Sequence, residues 1–199
     1  YAPKDDRQRY PILLTRTPYS AKPYGVDRYA NPGGPMRNYT KEKFIFVISD
    51  VRGRYASQGE FVQMRPHKAA KSSANDIDES TDAYDTIDWL VKNVPESNGR
   101  VGAMGGSYEG YTTLMATVNP HPALKVVVPF APMIDGWVGD DWFHNGAFRQ
   151  GAALEFIYGQ QSTRSGAFKF WWGEYDIYDT FLRAGSAGAL AKSRGVGQL

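Results

Sequence analysis

Apolar residues along this chain follow two spacings, one of strand type and one of helix type. Residues 11–16 (PILLTR) and 44–50 (FIFVISD) are near-continuous apolar runs of strand length. Such runs fit strands buried on both sides, which predicts a parallel sheet with helices on each face. Residues 1–10 (YAPKDDRQRY) read as a strand end and a polar turn. The Pro-, Gly- and Tyr-rich stretch between the two runs reads as a site loop with at most a short helix. From Ser80 to Val94 the spacing changes: Ala83, Ile87, Leu90, Val91 and Val94 recur at steps of three and four, the apolar face of a helix. Ser80 or Thr81 is placed to cap it. Glu79, Asp82 and Asp85 lie near the positive end of its dipole, and Pro95 with Ser97-Asn98-Gly99 stops it. That acidic cluster reads as helix chemistry in preference to a metal site.

Residues 100–104 read as a strand, 108–118 as a helix ended by Asn119-Pro120-His121-Pro122, and 125–130 (KVVVPF) as another strand. This alternation is the doubly wound α/β pattern, whose sites gather at the carboxyl ends of strands. Tyr19, Asp50, Ser107 and Asp135 all follow predicted strand ends. After Gly136 the sequence becomes aromatic and helix-like without clear strands, from Trp137, Trp142 and Phe143 to Phe168, Phe170, Trp171, Trp172 and Tyr175. It reads as a cap laid over the site. The expected division is therefore an α/β domain over residues 1–135 and a helical cap region, incomplete, over 136–199. The final stretch from Ala184 is rich in Ala, Gly and Ser and shows no convincing end.

Composition narrows the function. With 199 residues, 42% of them hydrophobic, the chain can bury a sizeable core. The net charge of +2, from 23 basic and 21 acidic residues, speaks against a nucleic-acid or membrane surface and for a small-molecule partner. Without cysteine there is no disulfide, thiolate nucleophile or zinc-thiolate site. No apolar run approaches the roughly 18 residues of a membrane helix. The first residue is Tyr1 and not Met, which leaves a removed leader open.

The strongest chemical signal is Val101-Gly102-Ala103-Met104-Gly105-Gly106-Ser107-Tyr108-Glu109-Gly110, a short strand driven into a helix through a glycine-flanked serine. A serine on such an elbow is exposed at a helix N-terminus, where free N–H groups and the dipole stabilise an oxyanion. The pattern is G-x-S-Y-x-G, a variant of G-x-S-x-G. The competing reading is a glycine-rich turn without chemistry.

Three strings carry a family resemblance: Asp50-Val51-Arg52-Gly53-Arg54-Tyr55-Ala56-Ser57-Gln58-Gly59, Gly105-Gly106-Ser107-Tyr108-Glu109-Gly110, and Gly139-Asp140-Asp141-Trp142-Phe143-His144. Together they resemble the α-amino acid ester hydrolases, within the wider group of bacterial cocaine esterase, glutaryl cephalosporin acylases and X-Pro dipeptidyl peptidases. The continuation through Asn145-Gly146-Ala147-Phe148-Arg149-Gln150 points to the ester hydrolases more narrowly. The resemblance covers nearly the whole chain and implies an α/β-hydrolase fold. It makes Ser107 the nucleophile, the Tyr108 N–H one oxyanion donor and the Tyr19 phenol, in Arg16-Thr17-Pro18-Tyr19, the second. Asp141 matches a carboxylate that binds the substrate α-ammonium in that family. Asp140, beside it, is the weaker candidate. Asp50 and Arg52 are expected to be structural hydrogen-bonding and ion-pair residues behind the site.

The implied activity is hydrolysis or transfer of acyl groups bearing an α-amino function, through an acyl-enzyme, on amino acid esters and α-amino β-lactam antibiotics, with no metal or organic cofactor. A glutaryl acylase, an X-Pro dipeptidyl peptidase, a general carboxylesterase and an inactive binding or assembly fragment remain alternatives. The triad order Ser, Asp, His finds no match in His67, His121 or His144. The resemblance places base and acid beyond Leu199, with a C-terminal jelly-roll domain, and the first sheet strands before Tyr1. The chain is expected to be an internal portion of a longer enzyme. A homotetramer and a periplasmic or secreted location are further implications of the resemblance alone.

Overall fold

The computed structural model describes residues 2–5, 7–28, 36–73, 75–149, 152–165 and 176–194. The aromatic residues Phe168, Phe170, Trp171, Trp172 and Tyr175, together with Gln150 and the last five residues, lie outside them. The chain forms two compact units, Tyr1–Pro132 and Met133–Leu199.

The first unit is built on four parallel strands: β1 (Tyr10–Thr17), β2 (Ile45–Asp50), β3 (Ser97–Gly106) and β4 (Leu124–Phe130), in the order β2-β1-β3-β4. Among the described residues between β1 and β2 lies a short helix, α1 (Met36–Tyr39), with a 3-10 turn after it. The longer helices are α2 (Glu79–Asn93) and α3 (Tyr108–Met115). Side chains alternate across a strand, and β1 sends them into apolar surroundings on both faces. Ile12 and Leu14 pack with Ile45, Val101 and the α2 residues Ile87 and Leu90, while Leu13 meets Phe46 and Met104. Ile12 is 0% exposed, and each such side chain contributes roughly 1.5–3 kcal/mol through burial.

Several expectations are corrected. Among the described residues, α2 and α3 cover the same face of the sheet, because both border Leu14 and Ala103. The opposite face carries a groove of about 290 Å³ lined by Leu13, Phe44, Met104, Val126 and Val128. The run over β4, predicted simply as a strand, is therefore half-solvated, with Val126 56% exposed. No strand forms in the described residues before Tyr10, since that stretch is too polar to enter the sheet. The helix after the elbow ends at Met115, short of Val118. The cap of α2 is neither Ser80 nor Thr81 but Asp78, whose carboxylate accepts the N–H groups of both, while the Thr81 hydroxyl closes a reciprocal capping box.

In the second unit an antiparallel hairpin appears where no strand is expected: β5 (Phe143–His144) pairs with β6 (Ala147–Phe148). Its turn is Asn145-Gly146, both at positive φ, the two-residue loop whose twist suits a hairpin. Tilted and edge-on ring contacts hold it, the Phe143 ring centroid lying 5.1 Å from that of Trp137 and 5.4 Å from that of Phe148. Among the described residues, three helices follow, α4 (Ala152–Ser162), α5 (Ile177–Ala184) and α6 (Ala187–Ser193). Phe181 and Leu190 form their small core with Phe148 and Tyr158. The Ala- and Gly-rich tail thus contains a helix, capped by Ser186. No helix among the described residues is long and apolar enough to cross a membrane.

Candidate active site

Ser107 stands between β3 and α3 with φ 57° and ψ −120°. For a residue with a Cβ this backbone costs on the order of 1–3 kcal/mol. The surrounding glycines let the turn close. A Cβ on Gly105 would lie 2.5 Å from the Glu109 carbonyl oxygen, and one on Gly110 would lie 2.9 Å from that of Phe130. The turn is pinned on both sides: Ser107 N–H donates to Phe130 O at 3.1 Å, and Ser107 O accepts from Tyr111 N–H at 3.0 Å. Its side chain makes no capping hydrogen bond, and the residue is exposed. The hydroxyl is thus held at the helix N-terminus without being used by it.

Tyr108 opens α3 and is 0% exposed. Its phenol oxygen accepts the N–H of Met64 at 2.8 Å, and the neighbouring Tyr111 hydroxyl donates to Arg65 O at 2.8 Å. Burial, helped by the nearby Glu79 charge, raises both phenols far above the ordinary tyrosine value. They serve as neutral anchors for the loop at residues 64–65, and the Tyr108 N–H lies in the first turn of α3.

Tyr19 follows β1, the strand beside β3, and its ring meets that of Tyr108 edge-on at 6.4 Å between centroids. Several contacts brace its loop. The N–H of Tyr19 donates to Thr17 Oγ1 at 3.1 Å. Arg54, 1% exposed, donates from Nε to Pro18 O at 3.2 Å, and its guanidinium lies 5.1 Å from the ring centroids of both Tyr55 and Phe61. Asp50 accepts from Ala21 N–H at 2.7 Å and the Tyr24 hydroxyl at 2.5 Å. The phenol of Tyr19 is presented on this frame, 41% exposed.

Behind these groups lies a buried ion network. Arg16 meets Glu79 at 2.9 Å and Asp82 at 3.8 Å, and Arg52 meets Asp82 at 2.6 Å. Glu79 and Asp82 therefore bind β1 and the Asp50–Gly59 string to α2, and do more than complement its dipole. Among the described residues no group of three or more His, Cys, Asp or Glu could hold a metal ion. His67 Nδ1 lies 2.9 Å from Asp78. His121 accepts the Ala123 N–H on Nδ1 and faces Asp88 with Nε2 at 3.4 Å. Both are built into loop structure, and His144 lies in β5.

Asp140 and Asp141 belong to the second unit, where they differ sharply. Asp140 is consumed by its own loop, accepting from Ile134 N–H at 2.6 Å and Asp141 N–H at 2.8 Å. The Asp141 carboxylate, 57% exposed, has a loose ion pair with Arg149 at 3.6 Å. Asp135 closes a turn by accepting the N–H groups of Trp137 and Val138. Ser107, Tyr108 and Tyr19 come together in the first unit; the two aspartates lie in the second.

The family model of the X-Pro dipeptidyl-peptidases (S15 family) matches residues 1–193. The chain belongs to this family. Its fold is of the α/β-hydrolase type. An aminopeptidase from the marine sediment archaeon Thaumarchaeota archaeon is 53% identical, with a TM-score of 0.83, over 98% of this chain and 33% of that one. An α-amino acid ester hydrolase is 47% identical, also at a TM-score of 0.83, over 100% of this chain and 33% of the other. Cocaine esterase from Rhodococcus sp. is 33% identical over 119 residues, 60% of this chain and 18% of the esterase. The chain thus spans about a third of the length of these two solved structures and less of the esterase.

Sequence reasoning missed Arg54, Asp78 and the Met64–Arg65 contacts. For Asp78 a signal was present, since Asp-x-x-Thr before an apolar periodic segment is a capping pattern. Arg54 had none beyond its place in the Asp50–Gly59 string.

Proposed function

We propose that this chain carries the nucleophile and oxyanion site of a serine hydrolase acting on esters or amides of α-amino acids. The observation that carries the reading is Ser107, held at φ 57° between β3 and α3 with Tyr19 on the adjacent strand end. Ser107 Oγ attacks the acyl carbon while a general base takes its proton. The carbonyl oxygen becomes an oxyanion that accepts from Tyr108 N–H and the Tyr19 phenol. Collapse expels the alcohol or amine, which takes the proton, and water repeats the sequence to release the acid. The base is assigned to residues beyond Leu199, following the family resemblance.

Asp141, with its exposed carboxylate, is assigned to the substrate α-ammonium. An ammonium about 4 Å away gains on the order of 4 kcal/mol at an effective dielectric near 20, before desolvation. The names of two relatives support a free α-amino group on the acyl side, one an α-amino acid ester hydrolase and one an aminopeptidase. The aminopeptidase favours amides among the leaving groups. Acyl transfer involving α-amino β-lactams is the widest form of the proposal, and the similarity to cocaine esterase keeps a general esterase as the second reading.

The test uses the full-length protein and a fluorophosphonate, which captures an activated serine. The expected result is one phosphonyl adduct on Ser107, lost in Ser107→Ala, and a Tyr19→Phe variant that folds normally with kcat lowered about a hundred- to a thousand-fold. Absence of labelling would favour an inactive binding or assembly role. Full activity of Tyr19→Phe would remove the phenol from the mechanism.

A further inference from the structure

The Asp50–Gly59 string has no part in the proposed reaction, yet it holds the chain on both sides of Tyr19. Three hydrogen bonds make the contact. Val51 N–H donates to Thr17 O at 2.9 Å, Arg54 Nε donates to Pro18 O at 3.2 Å, and Ala21 N–H donates to Asp50 Oδ1 at 2.7 Å. The backbone is thus gripped at Thr17 and Pro18 before Tyr19 and at Ala21 after it. The string that does this is closed on itself, by Gly53 N–H to Gln58 O at 2.9 Å and Ser57 N–H to Arg54 O at 2.8 Å. Arg52 fastens it to α2 through Asp82. The Arg54 guanidinium is buried over the rings of Tyr55 and Phe61, where a planar cation is held by both its donors and its faces.

We propose that Arg54 and Asp50 are positioning residues, a two-point clamp on Pro18 and Ala21 that keeps the Tyr19 phenol aimed at the oxyanion formed on Ser107. The inference rests on the reading of Tyr19 as an oxyanion donor. Such a donor works only within about 2.7–3.1 Å of the place the oxyanion will occupy, and a misplacement of about 1 Å can cost on the order of a hundredfold in rate. Tyr19 is 41% exposed, so packing around its ring supplies only part of that aim and the backbone must supply the rest. Both grips suit the task. A guanidinium donates to Pro18 O and a carboxylate accepts from Ala21 N–H, and hydrogen bonds with one charged partner are roughly twice as strong as neutral ones.

The test is a double-mutant cycle in the full-length protein, with kcat and KM on phenylglycine methyl ester and melting temperature as a check on folding. Arg54→Met keeps an apolar stem and removes the guanidinium, while Asp50→Leu removes the acceptor for Ala21. Each is expected to lower kcat about tenfold with little change in KM, less than loss of the phenol itself. Asp50→Asn, which keeps an oxygen for the Ala21 N–H, should recover most of the rate. In a Tyr19→Phe background, neither Arg54→Met nor Asp50→Leu should lower kcat further. If Tyr19→Phe is itself silent, the underlying reading fails and the clamp with it. The clamp alone is overturned if Tyr19→Phe is slow while Arg54→Met and Asp50→Leu are fully active, or if their losses multiply with that of Tyr19→Phe. It is equally overturned if the losses fall on KM alone, or if Asp50→Asn is no faster than Asp50→Leu. Should Arg54→Met fail to fold, the Asp50 pair in both backgrounds decides.

Discussion

At the scale of single residues, the site depends on groups held where they would not rest by themselves. Ser107 is kept at positive φ by hydrogen bonds to β4 and α3 and by the space that Gly105 and Gly110 leave. Glu109, raised by burial against the opposing Thr17 hydrogen bond, is the nearest case with a measurable consequence. A raised carboxyl favours its protonated form in the fold. Its contribution to stability is therefore fully present below the unfolded value, about 4.3, and is lost as pH rises through the folded value. Glu109→Gln removes the charge and keeps the acceptor. Its melting temperature should exceed that of the wild type at about pH 8 and converge with it near pH 4; a lower value at pH 8 would contradict this. Ser107 and Tyr108 were legible because glycine spacing constrains a turn so tightly. The preference for Asp141 over Asp140 had no sequence signal for its physical basis, which is that neighbouring backbone N–H groups occupy only one of the two carboxylates.

At the scale of elements, α2 is the pivot of the first unit. Asp78, with a fully buried side chain, caps it and also accepts from His67 Nδ1, Lys68 N–H and the Lys71 ammonium. Burial by itself would raise this carboxyl, but the hydrogen bonds from Lys71, Ser80, Lys68 and Thr81 outweigh it and hold it well below the ordinary range. The stabilisation is present above the unfolded value near 3.9 and fades as pH falls through the folded one. Asp78→Ala should cost about 3 kcal/mol, from a lost cap and buried donors left unmatched, and should flatten the acid side of the stability profile. Urea denaturation at neutral and acid pH checks both; a cost under about 1 kcal/mol would contradict the role. The α2 face was plain from its spacing, because burial of Ala83, Ile87 and Leu90 follows the helical period directly. The β5–β6 hairpin was hidden by its aromatic content, which overrode the Asn145-Gly146 turn signal in the reading.

At the scale of the whole molecule, the runs over β1 and β2 read alike as strands buried on both sides, and only the sheet distinguishes them: β1 lies between β2 and β3, whereas β2 ends the described strand order. The exposure of β4 was not legible, since an apolar run records what a strand can bury and not what covers it. The parallel sheet brings Tyr19 and Ser107 to neighbouring strand ends, while Asp141 belongs to the second unit. The most direct measurement is the ratio of kcat/KM for phenylglycine methyl ester and phenylacetic acid methyl ester in the full-length protein, with and without Asp141→Asn. A preference on the order of a hundredfold for the amino ester, consistent with a partly desolvated ammonium–carboxylate pair and collapsing in Asp141→Asn, is the expected result. Equal rates for the two esters would contradict the account and leave a general esterase.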